Sequence, residues 1–142
     1  MSAREVAAPF DSWVGGDRLI YDVEGDLTAL EYTFVELDTG RARCVKAWNG
    51  GWPVGILRNK PIEDGTTTYF STEAIVQTQG RSMVKAGSGG IAKGDLLKVD
   101  TGGVVIKATP TDADIIVGQC EYAASEGELG VIRLEKTYAR VL

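Results

Sequence analysis

The sequence predicts an all-β fold: one compact β-barrel or sandwich made by an internal duplication, with a separate N-terminal arm. Three observations predict it. The first is an internal echo. Asp38-Thr39-Gly40 recurs as Asp100-Thr101-Gly102, 62 residues on, and Lys46-Ala47, Val54-Gly55 and Gly65 recur at nearly the same spacing as Lys107-Ala108, Val117-Gly118 and Gly127. Self-similarity at a fixed period identifies the structural unit, and two copies are too few for a solenoid or propeller. The second is composition: 18 glycines in 142 residues, with frequent Val, Ile and Thr, suit short strands joined by tight turns. The third is periodicity, which is two-residue wherever it is regular and nowhere sustains the 3.6-residue period of a helix.

Residues 1–17 read as an arm, Ala-rich at first, turn-like at Pro9 and closed by Gly15-Gly16-Asp17, with Phe10 and Trp13 as isolated aromatics. Exposed termini are mobile unless they dock on something. Two large apolar side chains in such a segment therefore need a receiving surface. They either fold back on the chain's own barrel or seat on a neighbouring subunit or larger assembly, ordering the arm only there. The barrel domain then occupies residues 18–142.

Within it, Leu19–Val23 is a short strand closed by Glu24-Gly25-Asp26. Leu27–Leu37 alternates as Leu30, Tyr32, Phe34, which predicts a strand with one face on a core. Asp38-Thr39-Gly40 turns it into Arg41–Ala47, the third-position glycine supplying the positive φ that hairpin turns require. Trp48–Pro53 is a loop with two tryptophans. Val54–Leu57, Thr67–Val76 and Ser82–Ala86 follow as strands, and Gly87-Ser88-Gly89-Gly90 marks a flexible seam between the copies. The second copy continues with Leu96–Val99, the second Asp-Thr-Gly turn, Val104–Ala108, Ile115–Glu121 and Leu129–Leu134. Ala123–Glu126 has room for one helical turn, and Tyr138–Leu142 for a last edge strand.

Charge and residue types exclude several function classes. The formal charge is −5, and residues 1–26 hold six acids against two bases. Binding nucleic acid through its phosphates requires a clustered basic surface, and the sequence has no such cluster. No run approaches the roughly 20 apolar residues of a membrane-spanning helix, so neither nucleic acid nor membrane is expected as a partner. With no histidine in the chain, the usual metal ligand, the commonest general base and every His-dependent triad are missing. Two cysteines without histidine cannot assemble a structural zinc site. Cys44 and Cys120 are expected to be buried free thiols. Neither catalytic, metal-binding nor cofactor-binding residues are predicted.

Three motifs resemble chemistry and are better explained as structure. Aspartic proteases carry Asp-Thr-Gly twice, but with a Ser or Thr after it and in a two-lobed chain. Here Arg41 and Gly103 follow, and Asp in a turn is explained by side-chain hydrogen bonds to its own backbone. Gly87-Ser88-Gly89-Gly90 lacks the Gly-Lys-Ser/Thr and following helix of a phosphate-binding loop. Lys85 in Ser82–Ala86 resembles a biotinyl or lipoyl lysine, yet it lies inside a strand rather than at a tight turn.

One stretch is more specific. Val54-Gly55-Ile56-Leu57-Arg58-Asn59-Lys60-Pro61 with Asp64-Gly65 is similar to a segment of bacteriophage head-decoration, or capsid cement, proteins. The resemblance continues through Met83-Val84-Lys85-Ala86-Gly87, Ile91-Ala92-Lys93-Gly94-Asp95-Leu96-Leu97 with Asp100 and Gly102, and Ile116-Val117-Gly118 to Val131 and Arg133-Leu134. It spans roughly residues 27–142. It implies a tulip-like β-barrel without catalytic residues that binds the outer surface of the mature phage head, with the major capsid protein as partner. Homotrimers at threefold or quasi-threefold sites and a stabilised head are further implications. The alternatives are a tail or receptor-binding β-module and a small carboxylate-dependent hydrolase. The residues expected to carry subunit or capsid contacts are Pro9, Phe10 and Trp13 of the arm and Trp48 and Trp52 of the aromatic loop.

Overall fold

The structure is a computed structural model and describes residues 18–63, 70–109 and 115–135. Ten strands follow in order: β1 (Arg18–Val23), β2 (Phe34–Leu37), β3 (Cys44–Ala47), β4 (Pro53–Leu57), β5 (Glu73–Gln77), β6 (Gly80–Lys85), β7 (Leu96–Val99), β8 (Val105–Lys107), β9 (Gly118–Tyr122) and β10 (Leu129–Leu134). The all-β expectation holds. β1 to β5 close into a barrel in the order β1-β3-β2-β4-β5, and β6 to β10 form a second sheet in the order β6-β10-β9-β7-β8.

These two orders are the same order. Substituting β6 for β1, β7 for β2 and so on converts the barrel's ring into the second sheet, with the β6–β8 seam as the closing step. The barrel closes there through a parallel pairing of β1 with β3, Asp22 with Cys44 and Val23 with Val45. In the second copy a single parallel bridge, Ala86 with Val105, stands at the equivalent place, reinforced by Gly87 N donating to Val105 O at 2.7 Å. The duplication is therefore realised as two five-strand units. Its seam falls at Thr78-Gln79, between β5 and β6, and not at the expected Gly87–Gly90. Those glycines instead form the turn after β6. A Cβ on Gly87 would stand 2.7 Å from Val104 Cγ2, so glycine is what allows β8 to approach.

The shared Val-Gly step has the same cause in both copies. A Cβ on Gly55 would lie 2.3 Å from Gln77 O, and one on Gly118 would lie 2.2 Å from Arg133 O. Each glycine lets its strand cross close over the next, β4 over β5 and β9 over β10.

The barrel interior holds Val23, Leu27, Val35, Val45, Leu57, Ala74 and Val76. A second cluster joins the copies: Phe34 and Ile56 of the barrel pack with Val84, Leu97, Val105, Val117 and Ile132 of the second sheet. β2 and β4 are thus buried on both faces, Val35 and Leu57 inward, Phe34 and Ile56 outward. That explains the unbroken apolar run of β4 and the adjacent apolar pair Phe34-Val35 of β2, since a strand covered on both sides has no polar face to alternate with. Each of those two outward side chains contributes on the order of 1.5–3 kcal/mol by burial, and together they make one compact body.

Several local expectations are corrected. Leu27–Thr33 is a run of turns, and strand begins only at Phe34. Asp26 Oδ1 accepts from Thr28 N at 2.9 Å and Thr28 Oγ1 at 2.6 Å, and Leu30 and Thr33 donate back to Leu27 and Leu30. These local bonds compete with a sheet ladder, and Tyr32 takes a positive φ of 68°. The first Asp-Thr-Gly turn places its positive φ on Arg43, at 53°, and not on Gly40. In the second, Gly102 and Gly103 do adopt positive φ, within a 3-10 turn over Thr101–Gly103. Asp38 Oδ1 accepts from Gly40 N at 3.1 Å, whereas Asp100 makes no side-chain cap. Ala123–Glu126 is not helical; Glu128 N closes a tight turn on Ser125 O. Cys44 and Cys120 are buried free thiols, as expected. The expected strand at Tyr138–Leu142 lies outside the described residues.

Candidate interaction surface

The aromatic loop between β3 and β4 is built around a carboxylate. Glu36 of β2 is 8% exposed, and its Oε1 accepts from Asn49 N at 2.6 Å and from Gly51 N at 2.9 Å. Lys46 Nζ stands 3.9 Å from Oε2. Two backbone donors on one charged acceptor hold the loop, because charge-assisted bonds are stronger than neutral ones. Gly51 lies tight against the same group: a Cβ there would stand 3.0 Å from that carboxylate, so a side chain would have to push the brace aside. Trp48 Nε1 donates to Gly51 O at 2.8 Å, which pins the first indole along the loop. Trp52 is 50% exposed.

Of the five residues expected at contacts, the structure brings Trp48 and Trp52 onto this one braced loop. Pro9, Phe10 and Trp13 lie outside the described residues. Trp48, Gly51 and Pro53 line a depression of about 270 Å3 whose far wall is Lys98, Val99 and Ile115 of the second copy. The loop thus stands at the junction between the two units. Glu36 was missed by sequence reasoning, although a lone acid within Phe34-Val35-Glu36-Leu37 was the available signal. A buried carboxylate needs partners, and the adjacent Asn-Gly-Gly loop offers backbone N–H groups.

The family-like segment turns out to carry structural chemistry. Asn59 Oδ1 accepts from Ile75 N at 3.0 Å while its Nδ2 donates to Glu73 O at 2.9 Å. The side chain thereby continues the β4–β5 ladder two residues past the end of β4. Pro61 O accepts from Leu27 N at 3.0 Å. Arg58 bonds Gln77 and lies over the Tyr32 ring, 5.8 Å from its centroid.

Neither cysteine of the described residues is activated as a nucleophile. Burial pushes both cysteine thiols above their ordinary value, which keeps them protonated and unreactive. Among the described residues no three His, Cys, Asp or Glu side chains stand together as metal ligands would.

No protein-family model matches the sequence, and no curated protein matches it. Solved structures do. The N base of the head fiber gp8.5 of bacteriophage phi29 superposes with a TM-score of 0.60 at 15% identity, over 87% of this chain and 98% of that one. A chain of the capsid of Myoviridae phage XM1 superposes with a TM-score of 0.63 at 13% identity, over 84% of this chain and 83% of that one. The fold is shared with phage head proteins. At such identity the likeness is one of architecture, and it covers both copies of the duplication.

Proposed function

We propose that this chain is a non-enzymatic structural protein of a phage virion, which binds the outer surface of the mature head as a homotrimer at threefold or quasi-threefold sites and stabilises it. The observation that carries the reading is the fold shared with two phage head and capsid chains over more than four fifths of the sequence. The motif order of residues 27–142 supports it independently. So does the surface: a half-exposed tryptophan on a loop braced by a buried carboxylate is a preorganised anchor, and rigid aromatics are enriched at interfaces.

Trimeric attachment has a thermodynamic rationale. Three weak contacts made by one rigid particle reinforce each other through effective concentration. Binding to the mature lattice alone then stabilises that lattice by mass action. In this reading the partners are the major capsid protein and two further copies of the chain.

The test is to add purified protein to expanded heads that lack it, then record a cryo-EM map and the temperature at which heads rupture. Ordered density at threefold sites and a raised rupture temperature are expected. Trp52→Ala should leave the barrel folded and weaken occupancy about tenfold or more, the loss of one anchor side chain. Density confined to a tail, or heads left bare at saturating protein, overturns the proposal.

A further inference from the structure

On the outward face of the second sheet the strand register aligns three apolar side chains in one row. Met83 of β6 pairs with Val131 of β10, and Val131 pairs with Tyr122 of β9. Their neighbours Ser82, Val84, Gly130 and Ile132 are buried, so the row points to solvent, with Tyr122 68% exposed and Met83 40%. A bulge at Val131/Ile132 turns Glu121 to the same face. There Arg81 Nε and Arg133 Nε hold its two oxygens at 2.7 and 2.9 Å. One carboxylate between two guanidinium groups leaves the cluster positive. Lys93 adds a further cation at the rim of a depression of about 410 Å3 that it lines with Arg81, Glu121 and Tyr122.

An apolar row with a cationic border on a chain of net charge −5 calls for an occupant that is acidic and aromatic. The sequence contains one. Residues 1–17 carry Glu5, Asp11 and Asp17 against Arg4, with Phe10 and Trp13 among them. They also start from the right place. They join β1 at Arg18, whose Cα partner is Gln77, and the Gln77 amide donates to Arg81 O at 2.9 Å, at the head of this same face. Seventeen residues span at most about 60 Å extended, several times the width of three strands at roughly 4.8 Å each.

We propose that residues 1–17 dock on the β6-β10-β9 face of their own chain, Phe10 and Trp13 against the Met83–Val131–Tyr122 row and the acids beside Arg81, Arg133 and Lys93. This contact is independent of the capsid reading. It gives the arm a resting site within the monomer and shields this aligned apolar row from solvent.

Zero-length carbodiimide cross-linking of the full chain tests it, on an equal mixture of isotopically light and heavy protein. Links from Glu5, Asp11 or Asp17 to Lys93 or Lys85 within one isotope are expected. Links that mix isotopes assign the face to a second copy and overturn the proposal, as does an arm with no link to this sheet. Amide exchange across residues 1–17 gives the second readout. Met83→Glu and Lys93→Glu should each speed it about tenfold, and Asp11→Lys should restore protection in the Lys93→Glu background. Leu37→Glu, an equally exposed change on the barrel, should leave it unmoved. Exchange that is identical in the unsubstituted chain and all four variants refutes docking at this face.

Discussion

The two copies run the same circuit of strands and finish their shared tripeptide differently. After Asp38-Thr39-Gly40 the barrel places Arg41, whose guanidinium reaches out to Glu63 at 2.9 Å. After Asp100-Thr101-Gly102 the second sheet places Gly103, which turns inward: its Cβ would lie 2.5 Å from Phe34 O and 3.0 Å from Thr33 Cβ. One turn faces solvent and is tied by an ion pair, the other is a wedge against the first copy. Strand order and close-approach glycines are set by the sheet itself and therefore persist through duplication. Turn chemistry is set by what lies beyond the turn, and the two copies have different neighbours.

The largest expected effect tests the part that is shared. Gly55→Ala and Gly118→Ala each drive a Cβ into a backbone carbonyl of the next strand, which only a strand shift can relieve. Each should cost at least about 3 kcal/mol, with the two within about 1 kcal/mol of each other, measured by urea or thermal unfolding. A large cost at one and a negligible one at the other would break the equivalence of the copies.

The next effect tests the part that differs. Gly103→Ala combines a positive φ of 81° with the clash on Phe34 O and should cost about 2–3 kcal/mol. Gly40→Ala meets only the Asp38 carboxylate at 3.5 Å and has no left-handed φ, so it should stay within about 0.5 kcal/mol. Equal costs at the two positions would mean that the second turn is not wedged between the copies.

What the sequence made legible follows the same division. Period-two alternation and the Val-Gly step located nearly every described strand, because those signals arise from the strand's own pleat and its nearest neighbour. The Leu27–Thr33 turns were hidden, since Leu30, Tyr32 and Phe34 alternate as a strand would while Asp26 and Thr28 redirect the backbone locally. Which copy pairs with which was not legible either, because hydrogen-bond partners leave no trace in an alternation pattern. The Trp48–Trp52 loop was visible from its residue types, but its brace at Glu36 required β2 and the loop to be brought together across 13 residues. The Met83–Val131–Tyr122 row depends on the register of three strands, which no single segment encodes.

The smallest effect concerns acid. In the barrel copy, Glu63 Oε1 accepts from Gly25 N at 2.9 Å and Oε2 pairs with Arg41. The Gly25 N–H first and the Arg41 charge with it hold the Glu63 carboxyl below its ordinary value. Thr28, through its hydroxyl and then its N–H, does the same for Asp26. In the second copy the corresponding bond, Gly89 N to Glu126 Oε1, is 3.4 Å long, and Gly103 stands where the cation would be. A carboxyl whose folded value is depressed favours the folded state above its unfolded value. That contribution is lost as pH falls through the depressed folded value, so it disappears below roughly pH 4. Both groups are exposed and screened by solvent, so the change should be a small drop in melting temperature. It should nevertheless be local. Amide exchange corrected for intrinsic pH dependence should show Gly25 and Glu63 losing protection on acidification from pH 6 to pH 3, before Gly87 and Ile91 of the second copy. Glu63→Gln should remove most of that difference, because its side chain no longer titrates. If both copies loosen together, or if the substituted protein still loses barrel protection first, the Arg41–Glu63 tie is not what distinguishes the two turns.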